Sequence, residues 1–254
     1  MKISIITVSY NSEKFIESCI RSVKDQSYKN LEHIIIDGAS TDNTLNLLNL
    51  YKNTLTKIVS EKDKGIYDAM NKGLNISNGD IVGFLNSDDF YSDKNVIAKV
   101  MSLFKKDPSL DACYSDLVYT NQNDTTKIVR YWKSNKFTPG SFKKAWYPPH
   151  PTLFVRKSIY EKLGGFDLSY SIASDVDLMM RFFEVNRIKV RYVQEVWVKM
   201  RLGGKSNKNL YNIWRQNWEI ICSMKKNGLS LNFFSFFIYK AISRLKQFIV
   251  RPKI

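Results

Sequence analysis

Within the first 90 residues, short runs of apolar, largely β-branched residues alternate with amphipathic stretches, and this rhythm constrains the fold more than any other feature. Residues 3–8 are one such run. Ser9-Tyr10-Asn11-Ser12 breaks it, after which Phe15, Cys19, Ile20 and Val23 recur at helical spacing over 13–26. A second run, 31–36, ends in Asp37-Gly38 and yields to a helical pattern at Leu45, Leu47, Leu48 and Tyr51. Residues 57–60 form a short third run, 68–77 a helix with Ala69, Met70, Leu74 and Ile76 free to pack, and 81–85 a fourth run. Strand and helix in repeated succession predict an α/β fold with a largely parallel, doubly wound sheet. The N-terminus therefore reads as a first strand; its apolar core is too short for a signal peptide.

Open α/β sheets bind ligands at the carboxyl ends of their strands. Four polar clusters fall there: Ser9-Tyr10-Asn11, Asp37-Gly38, Glu61-Lys62-Asp63-Lys64 and Asn86-Ser87-Asp88-Asp89. Singly, each has a plain structural reading. Ser12 caps a helix, Asp37-Gly38 turns the chain, Asp63-Lys64-Gly65 is a solvated loop, and Asp88 or Asp89 caps the next helix. Jointly they predict a nucleotide-sized site, in which the carboxylates after 81–85 suit a hard divalent cation bridging a diphosphate. The chain lacks a Gly-x-Gly-x-x-Gly after its first run, a P-loop and a Gly-x-Ser-x-Gly elbow, which argues against dinucleotide oxidoreduction, P-loop nucleotide hydrolysis and acyl hydrolysis.

The second half is less regular. Residues 96–104 and 158–163 read as helices, and 112–119 and 128–131 as strands. An irregular loop over 137–149, with three prolines, leads to His150, which suits either a packed loop residue or a ligand contact. Ser174-Asp175-Val176-Asp177 reads as a helix N-terminus: Ser174 caps, and Asp175 and Asp177 lie in the first turn. Carboxylates there serve capping alone, or a general base held at a pocket floor.

The formal charge of +15 is uneven: residues 201–254 hold 11 Lys and Arg against one acid, Glu219. Such a bias points to an anionic surface, and without zinc-finger spacing or an aromatic RNA-binding motif the expectation is lipid rather than nucleic acid. Two helices are predicted, over 210–227 and 231–251. In the second, Lys240, Ser243, Arg244, Gln247 and Arg251 fall opposite Ile238, Ala241, Ile242, Leu245, Phe248 and Ile249. This helix either lies in the plane of an anionic membrane or packs on the catalytic domain or a second copy in a homo-oligomer. No run of 18 apolar residues predicts a span, and three dispersed cysteines fit a reduced, cytoplasmic setting, peripheral on the inner face of the membrane.

Taken together, Thr7-Val8-Ser9-Tyr10-Asn11, residues 37–44 (Asp-Gly-Ala-Ser-Thr-Asp-Asn-Thr), residues 63–73 (Asp-Lys-Gly-Ile-Tyr-Asp-Ala-Met-Asn-Lys-Gly), Asn86-Ser87-Asp88-Asp89 and Ser174-Asp175-Val176-Asp177-Leu178 resemble, in order, the family 2 inverting glycosyltransferases. The resemblance covers roughly residues 1–205 and implies a GT-A fold, with a donor half (1–91), an acceptor half (92–205) and a basic helical extension (206–254). It implies that Thr7, Ser9, Asn11, Asp37, Asp63, Asn86, Ser87 and Asp88 bind a nucleotide-sugar, expected to be a UDP-sugar, and that Asp175 is the catalytic base. Asp88, aided by Asp89, would hold Mg²⁺ or Mn²⁺. His150, Asp177, Arg201 and Lys205 would serve the acceptor side or a closing loop, and the acceptor would be a glycan or lipid-linked hydroxyl of a surface polysaccharide. Two positions depart from the family pattern: Asn86 stands where the first acid of the Asp-x-Asp motif is usual, and Ser174 where a Glu is. They leave open a module of the same fold that binds nucleotide-sugar without turnover.

Overall fold

In a computed structural model the strand and helix alternation is realised. Strands β1 (Ile3–Ser9), β2 (Leu31–Asp37), β3 (Lys57–Ser60) and β4 (Ile81–Phe84) are interleaved with helices α1 (Ile16–Lys24), α2 (Thr44–Leu50) and α3 (Ile66–Ile76). β2 and β4 flank β1, β3 extends the sheet beyond β2, and all four run parallel. The structure describes residues 1–203, 210–250 and 252; Lys205 and Arg251 lie outside them.

The chain continues through β5 (Phe90–Tyr91), α4 (Val96–Lys106), β6 (Ala112–Thr120), β7 (Ile128–Trp132), β8 (Phe154–Arg156), α5 (Lys157–Leu163), α6 (Ser174–Met180), β9 (Val190–Arg201), α7 (Leu210–Lys226) and α8 (Phe233–Ile249). The strand order is β3-β2-β1-β4-β8-β6-β9-β5, with β7 paired to β6. β8 is antiparallel to both neighbours, whereas β9 runs parallel to β6. Strands β5, β8 and β9 were not anticipated from the sequence pattern.

The period-two alternation of strand side chains divides the core between two faces. Ile6, Val8, Ile34 and Ile36 meet α3 and α6 on one side. Ile3, Ile5 and Ile81 meet α1 and α4 on the other, and Ile35 meets α1 and α2. Gly73 lets α3 approach β1, since a Cβ there would come within 2.4 Å of the Ile6 side chain. Helix α7 joins the first face: Ile220 and Met224 are buried in the same cluster, as is Phe236 of α8.

Helix α8 has the expected two-sided character, and its orientation is specific. Lys240 and Gln247 are buried and Phe236 anchors the helix, while Phe234 (79% exposed), Ile249 (78%), Leu245 and Phe248 face outward. The apolar side is the outer side. Phe236 and the polar residues turn towards the protein.

Candidate active site

The strand ends of the parallel half open on a cavity of about 1790 Å³. That exceeds the few hundred to ~1,000 Å³ of an ordinary small-molecule pocket, so it has room for two substrates. Ser9, Asn11, Gly38, Asp63, Asn86, Ser87, Asp88, His150, Asp175 and Arg201 all line it. Fold topology thus brings together most of the residues singled out by sequence.

The loop after β1 is fixed by hydrogen bonds to the loop after β2. Asn11 has a left-handed backbone (φ 48°), and its Oδ1 accepts from the Thr41 N–H at 2.9 Å while its own N–H donates to Ser40 Oγ at 2.9 Å. Ser12 Oγ lies 2.8 Å from Ser87 Oγ, which joins the β1 and β4 loops. Asp37 is fully buried and accepts from Ser9 Oγ (3.0 Å), Ser40 N–H (2.9 Å) and Oγ (2.5 Å), and Ser60 Oγ (2.8 Å). Its carboxylate therefore stands behind the cavity and organises three loops. Asp63 reaches the cavity because residue 38 is glycine: a Cβ there would lie 2.5 Å from the Asp63 Oδ2. Thr7, expected to line the donor site, is buried one pleat further back, 3.0 Å from His33 Nε2. Its place on β1, two residues before the strand end, keeps it out of the cavity.

The two acids after β4 separate by environment. Asp88 faces the cavity, and burial raises its pKa. Asp89 is fully buried and accepts from Asn86 Nδ2 at 3.0 Å; its other oxygen, Oδ1, has no partner. Burial first, and the neighbouring Asp88 charge second, drive its pKa far upward. Arg201 spans the pair: Nη1 donates to the Asp88 carbonyl at 2.6 Å, and the guanidinium lies against the rings of Phe90 (4.6 Å) and Phe15 (4.9 Å). Among the described residues no three acidic, His or Cys side chains converge as a metal cage. The Asp88 carboxylate beside Asn86 and Ser87 does fit a Mg²⁺ or Mn²⁺ ion that would take its remaining oxygens from diphosphate and water. Asp89, expected as a second ligand, holds Asn86 instead.

Asp175 sits in the first turn of α6. Burial pushes its pKa up to about 6, against the pull of a 3.0 Å hydrogen bond from the Tyr67 hydroxyl and of backbone N–H groups at the helix start. Ser174, expected as the cap, is the first helical residue; Ala173 occupies the cap position, and Ser174 Oγ is buried without a partner. The loop that leads into the helix is tied down from α7. Glu219 of α7 accepts from the N–H of Ser171 (3.2 Å), Ile172 (2.8 Å) and Ala173 (3.0 Å), from Ser171 Oγ (2.8 Å) and from Arg215 Nε (3.1 Å). Asp177 also turns to α7, accepting from Ser223 Oγ at 2.6 Å and Arg181 Nε at 2.9 Å. It is fully buried and lies away from the cavity, because residues two apart on a helix point to different sides.

His150 lines the cavity with Nε2 unpartnered, its ring stacked on Phe84 at 5.5 Å. Burial lowers its pKa to about 4, so it is neutral at physiological pH. The sequence did not mark Tyr67 or Glu219 as site residues. Tyr67 falls inside the 63–73 motif, and Glu219 stands out as the only acid of residues 201–254.

The sequence profile of glycosyl transferase family 2 matches residues 4–164, more than half of the chain. An uncharacterized glycosyltransferase of Mycobacterium tuberculosis is 32% identical over 181 residues, covering 70% of this chain and 68% of its own. A PGL/p-HBAD biosynthesis glycosyltransferase of Mycobacterium bovis is 27% identical over 208 residues, covering 80% and 78%. Among solved structures, S. aureus TarS 1–349 in complex with UDP-GlcNAc superposes with a TM-score of 0.69 at 17% identity, over 96% of this chain and 70% of that one. A mannosyltransferase from Pyrobaculum calidifontis in complex with GDP-Man and Mn²⁺ gives 0.65 at 19% identity, over 95% and 69%. At such identities the structures establish the GT-A fold, and the sequence match establishes the rest: this chain is a glycosyltransferase and belongs to glycosyl transferase family 2.

Proposed function

We infer that the protein transfers a glycosyl group with inversion from a nucleotide-sugar, expected to be a UDP-sugar, to a hydroxyl of a glycan or lipid-linked acceptor in the building of a cell-surface polysaccharide or glycolipid. The observation that carries this reading is Asp175, a carboxylate with a pKa of about 6 that opens on the same cavity as Asp88. Such a base is ionised at neutral pH yet basic enough to take a proton in the transition state. Asp175 accepts the acceptor's hydroxyl proton as that oxygen bonds to the anomeric carbon. On the opposite face the bond to the diphosphate oxygen breaks, and its electron pair leaves with the nucleoside diphosphate.

The donor half, 1–91, binds the nucleotide-sugar through Ser9, Asn11, Asp63, Asn86, Ser87 and Asp88, with Asp37 fixing the loops from behind. Arg201 adds positive charge beside the diphosphate, and neutral His150 offers Nε2 to a sugar hydroxyl. When bound at Asp88, Mg²⁺ or Mn²⁺ supplies countercharge to the leaving diphosphate. The UDP-GlcNAc held by TarS and the GDP-Man with Mn²⁺ held by the Pyrobaculum enzyme support a nucleotide-sugar donor and a divalent cation.

The domain works in the cytoplasm at the inner, anionic face of the membrane. Among the described residues no helix is long and apolar enough to cross a bilayer. Instead α8 offers its apolar side outward, and on α7 the exposed rings of Tyr211, Trp214 and Trp218 follow one another at 6.4 and 6.2 Å. Trp and Tyr favour the membrane–water interface, and a helix so placed lies in its plane.

A panel of nucleotide-sugars, scored by thermal shift with and without Mn²⁺, tests the donor assignment. A true donor at ~100-fold its Kd stabilises the fold by ~2.7 kcal/mol. In Asp88→Ala the Mn²⁺-dependent part of that shift should vanish. A protein that no nucleotide-sugar stabilises, with or without the cation, would refute it.

A further inference from the structure

Arg130 on β7 and Lys240 and Arg244 on α8 line the same cavity, and none has a carboxylate partner among the described residues. Neutral groups hold Arg130 and Lys240 in place. Arg130 Nε donates to Gln247 Oε1 at 2.6 Å and its guanidinium covers the Tyr119 ring at 4.5 Å; the Lys240 ammonium donates to the side-chain oxygen of Asn217. Such contacts orient a cation without neutralising it. The charges also oppose one another. Arg244 disfavours the charged forms of Arg130 and Lys240, and burial brings the Lys240 pKa down to about 7. Gathering cations, one buried and two half-buried, without counterions costs free energy that an anion in their midst would offset. Glu219, the one acid of residues 201–254, is committed to the 171–173 loop and Arg215.

Arg130 stands across β6 from Arg201. Arg201, beside Asp88, pairs in register with Thr120 of β6, while Arg130 pairs with Tyr119 from the opposite side of that strand. Two strand spacings, roughly 10 Å, therefore separate the backbone of Arg130 from the Arg201 strand. The three cations share the cavity with Asp175, and Tyr147, which lines it too, feels the charges of Asp175, Arg244 and Arg130.

We propose that Arg130, Lys240 and Arg244 form a second phosphate-binding site, which takes the phosphate of an acceptor whose hydroxyl reaches Asp175. The assignment of that phosphate to an acceptor rests on the reading of Asp175 as base. Its source is a lipid phosphate or the phosphate of a soluble acceptor, and the two share this recognition chemistry.

Calorimetric titration of the full chain with dihexanoyl phosphatidic acid, glycerol 3-phosphate, uncharged octyl glucoside and UDP tests the site. Arg244→Ala should weaken the phosphate probes at least tenfold and leave UDP binding within about threefold of wild type. Binding of the short-chain lipid alone identifies a lipid phosphate, and equal binding of both phosphates a soluble one; either supports the site. Equal binding of octyl glucoside, no binding of any phosphate probe, or loss of UDP rather than phosphate in the variant would overturn it. Should Arg244→Ala not fold, Arg244→Gln keeps the stem, and competition by inorganic phosphate on the wild type gives an independent reading. The outcomes also separate the two readings. If the phosphate probes bind as expected but Asp175→Asn retains full transfer, the base assignment fails while the phosphate site stands.

Discussion

Replacing Tyr67 with Phe isolates the interaction that tunes Asp175. Burial raises the carboxyl, and the 3.0 Å hydrogen bond from Tyr67 is the largest influence holding it down, to about 6. A hydrogen bond to a charged group is worth ~1.5–3 kcal/mol, or ~1–2 pH units at ~1.36 kcal/mol per unit. The Tyr67 hydroxyl has one proton and shares it with the Ile172 carbonyl at 2.8 Å, so the lower end applies. Tyr67→Phe should therefore raise the Asp175 pKa by about one unit. A base acts deprotonated, so activity falls as pH drops through its pKa, and the acidic limb of kcat/KM should move from about 6 to roughly 7. Near pH 6.5 the variant should be ~3-fold slower than wild type, and near pH 8.5 the two should converge. A pH series of initial rates at subsaturating acceptor measures this. A limb that stays in place or moves down, or a loss equal at every pH, would show that Tyr67 merely packs the 171–173 loop.

Asp175→Asn should abolish transfer and leave nucleotide binding intact, and it should stabilise the fold. The folded-state pKa of about 6 lies above the ordinary 3.8 of an aspartate, so the carboxyl's contribution to stability is full at acid pH and is lost as pH rises through about 6. Relief in Asn should reach ~3 kcal/mol near pH 8 and fade near pH 4, as thermal melts at the two values would show. Glu219→Gln puts an amide among three backbone N–H donors; kcat should fall at least tenfold with the donor KM unchanged, and the melting temperature should drop by several degrees, read from steady-state kinetics and a melt. Trp214→Ser with Trp218→Ser should reduce flotation with anionic vesicles severalfold at unchanged solution activity; undiminished flotation would remove these rings from the membrane surface.

Most of the parallel half is legible because β1, β2 and β4 are apolar runs long enough to show a pattern, and the strand-end rule points to Ser9, Asn11, Asp63 and Asp88, which line the cavity. The second half resisted for physical reasons. β5 and β8 have two and three residues, too few for any periodicity. β9 includes Arg191, Gln194, Glu195 and Lys199, and its pairing with β6 is a long-range choice that local pattern does not encode. Within the site, strand-end chemistry identified the loops, but not which side chain of each faces the cavity. Thr7, Asp37 and Asp89 face inward; Asp37 and Asp89 there hold Ser9 and Asn86, which line the cavity, and Thr7 meets His33. Asp175 and Asp177 look equivalent in sequence, yet two residues of helical rotation give one to the cavity and the other to α7.

The basic extension shows how a correct pattern can leave its direction open. The spacing of apolar and polar residues along α8 establishes that two faces exist; it does not say which meets the protein. Had the apolar face packed on the domain, Lys240 and Arg244 would be solvated and the cavity would lose one wall. The opposite arrangement leaves large apolar side chains in water, at ~25 cal/mol per Å² exposed, and gathers cations that repel one another. Both costs are relieved together if apolar material covers the outer face while an anion enters the inner one, and a membrane surface with a phosphate-bearing acceptor supplies both. Helix α7 ties that surface to the chemistry. Tyr211, Trp214 and Trp218 occupy its outer side, while Glu219, Ser223 and Asn227 succeed one another at four-residue steps along the inner side, towards the Asp175 loop and Asp177. Although the composition changes sharply near residue 205, α7 therefore packs as part of the cavity's wall, and Asp175, the proposed base, is braced by the same helix that carries the outward aromatic ladder.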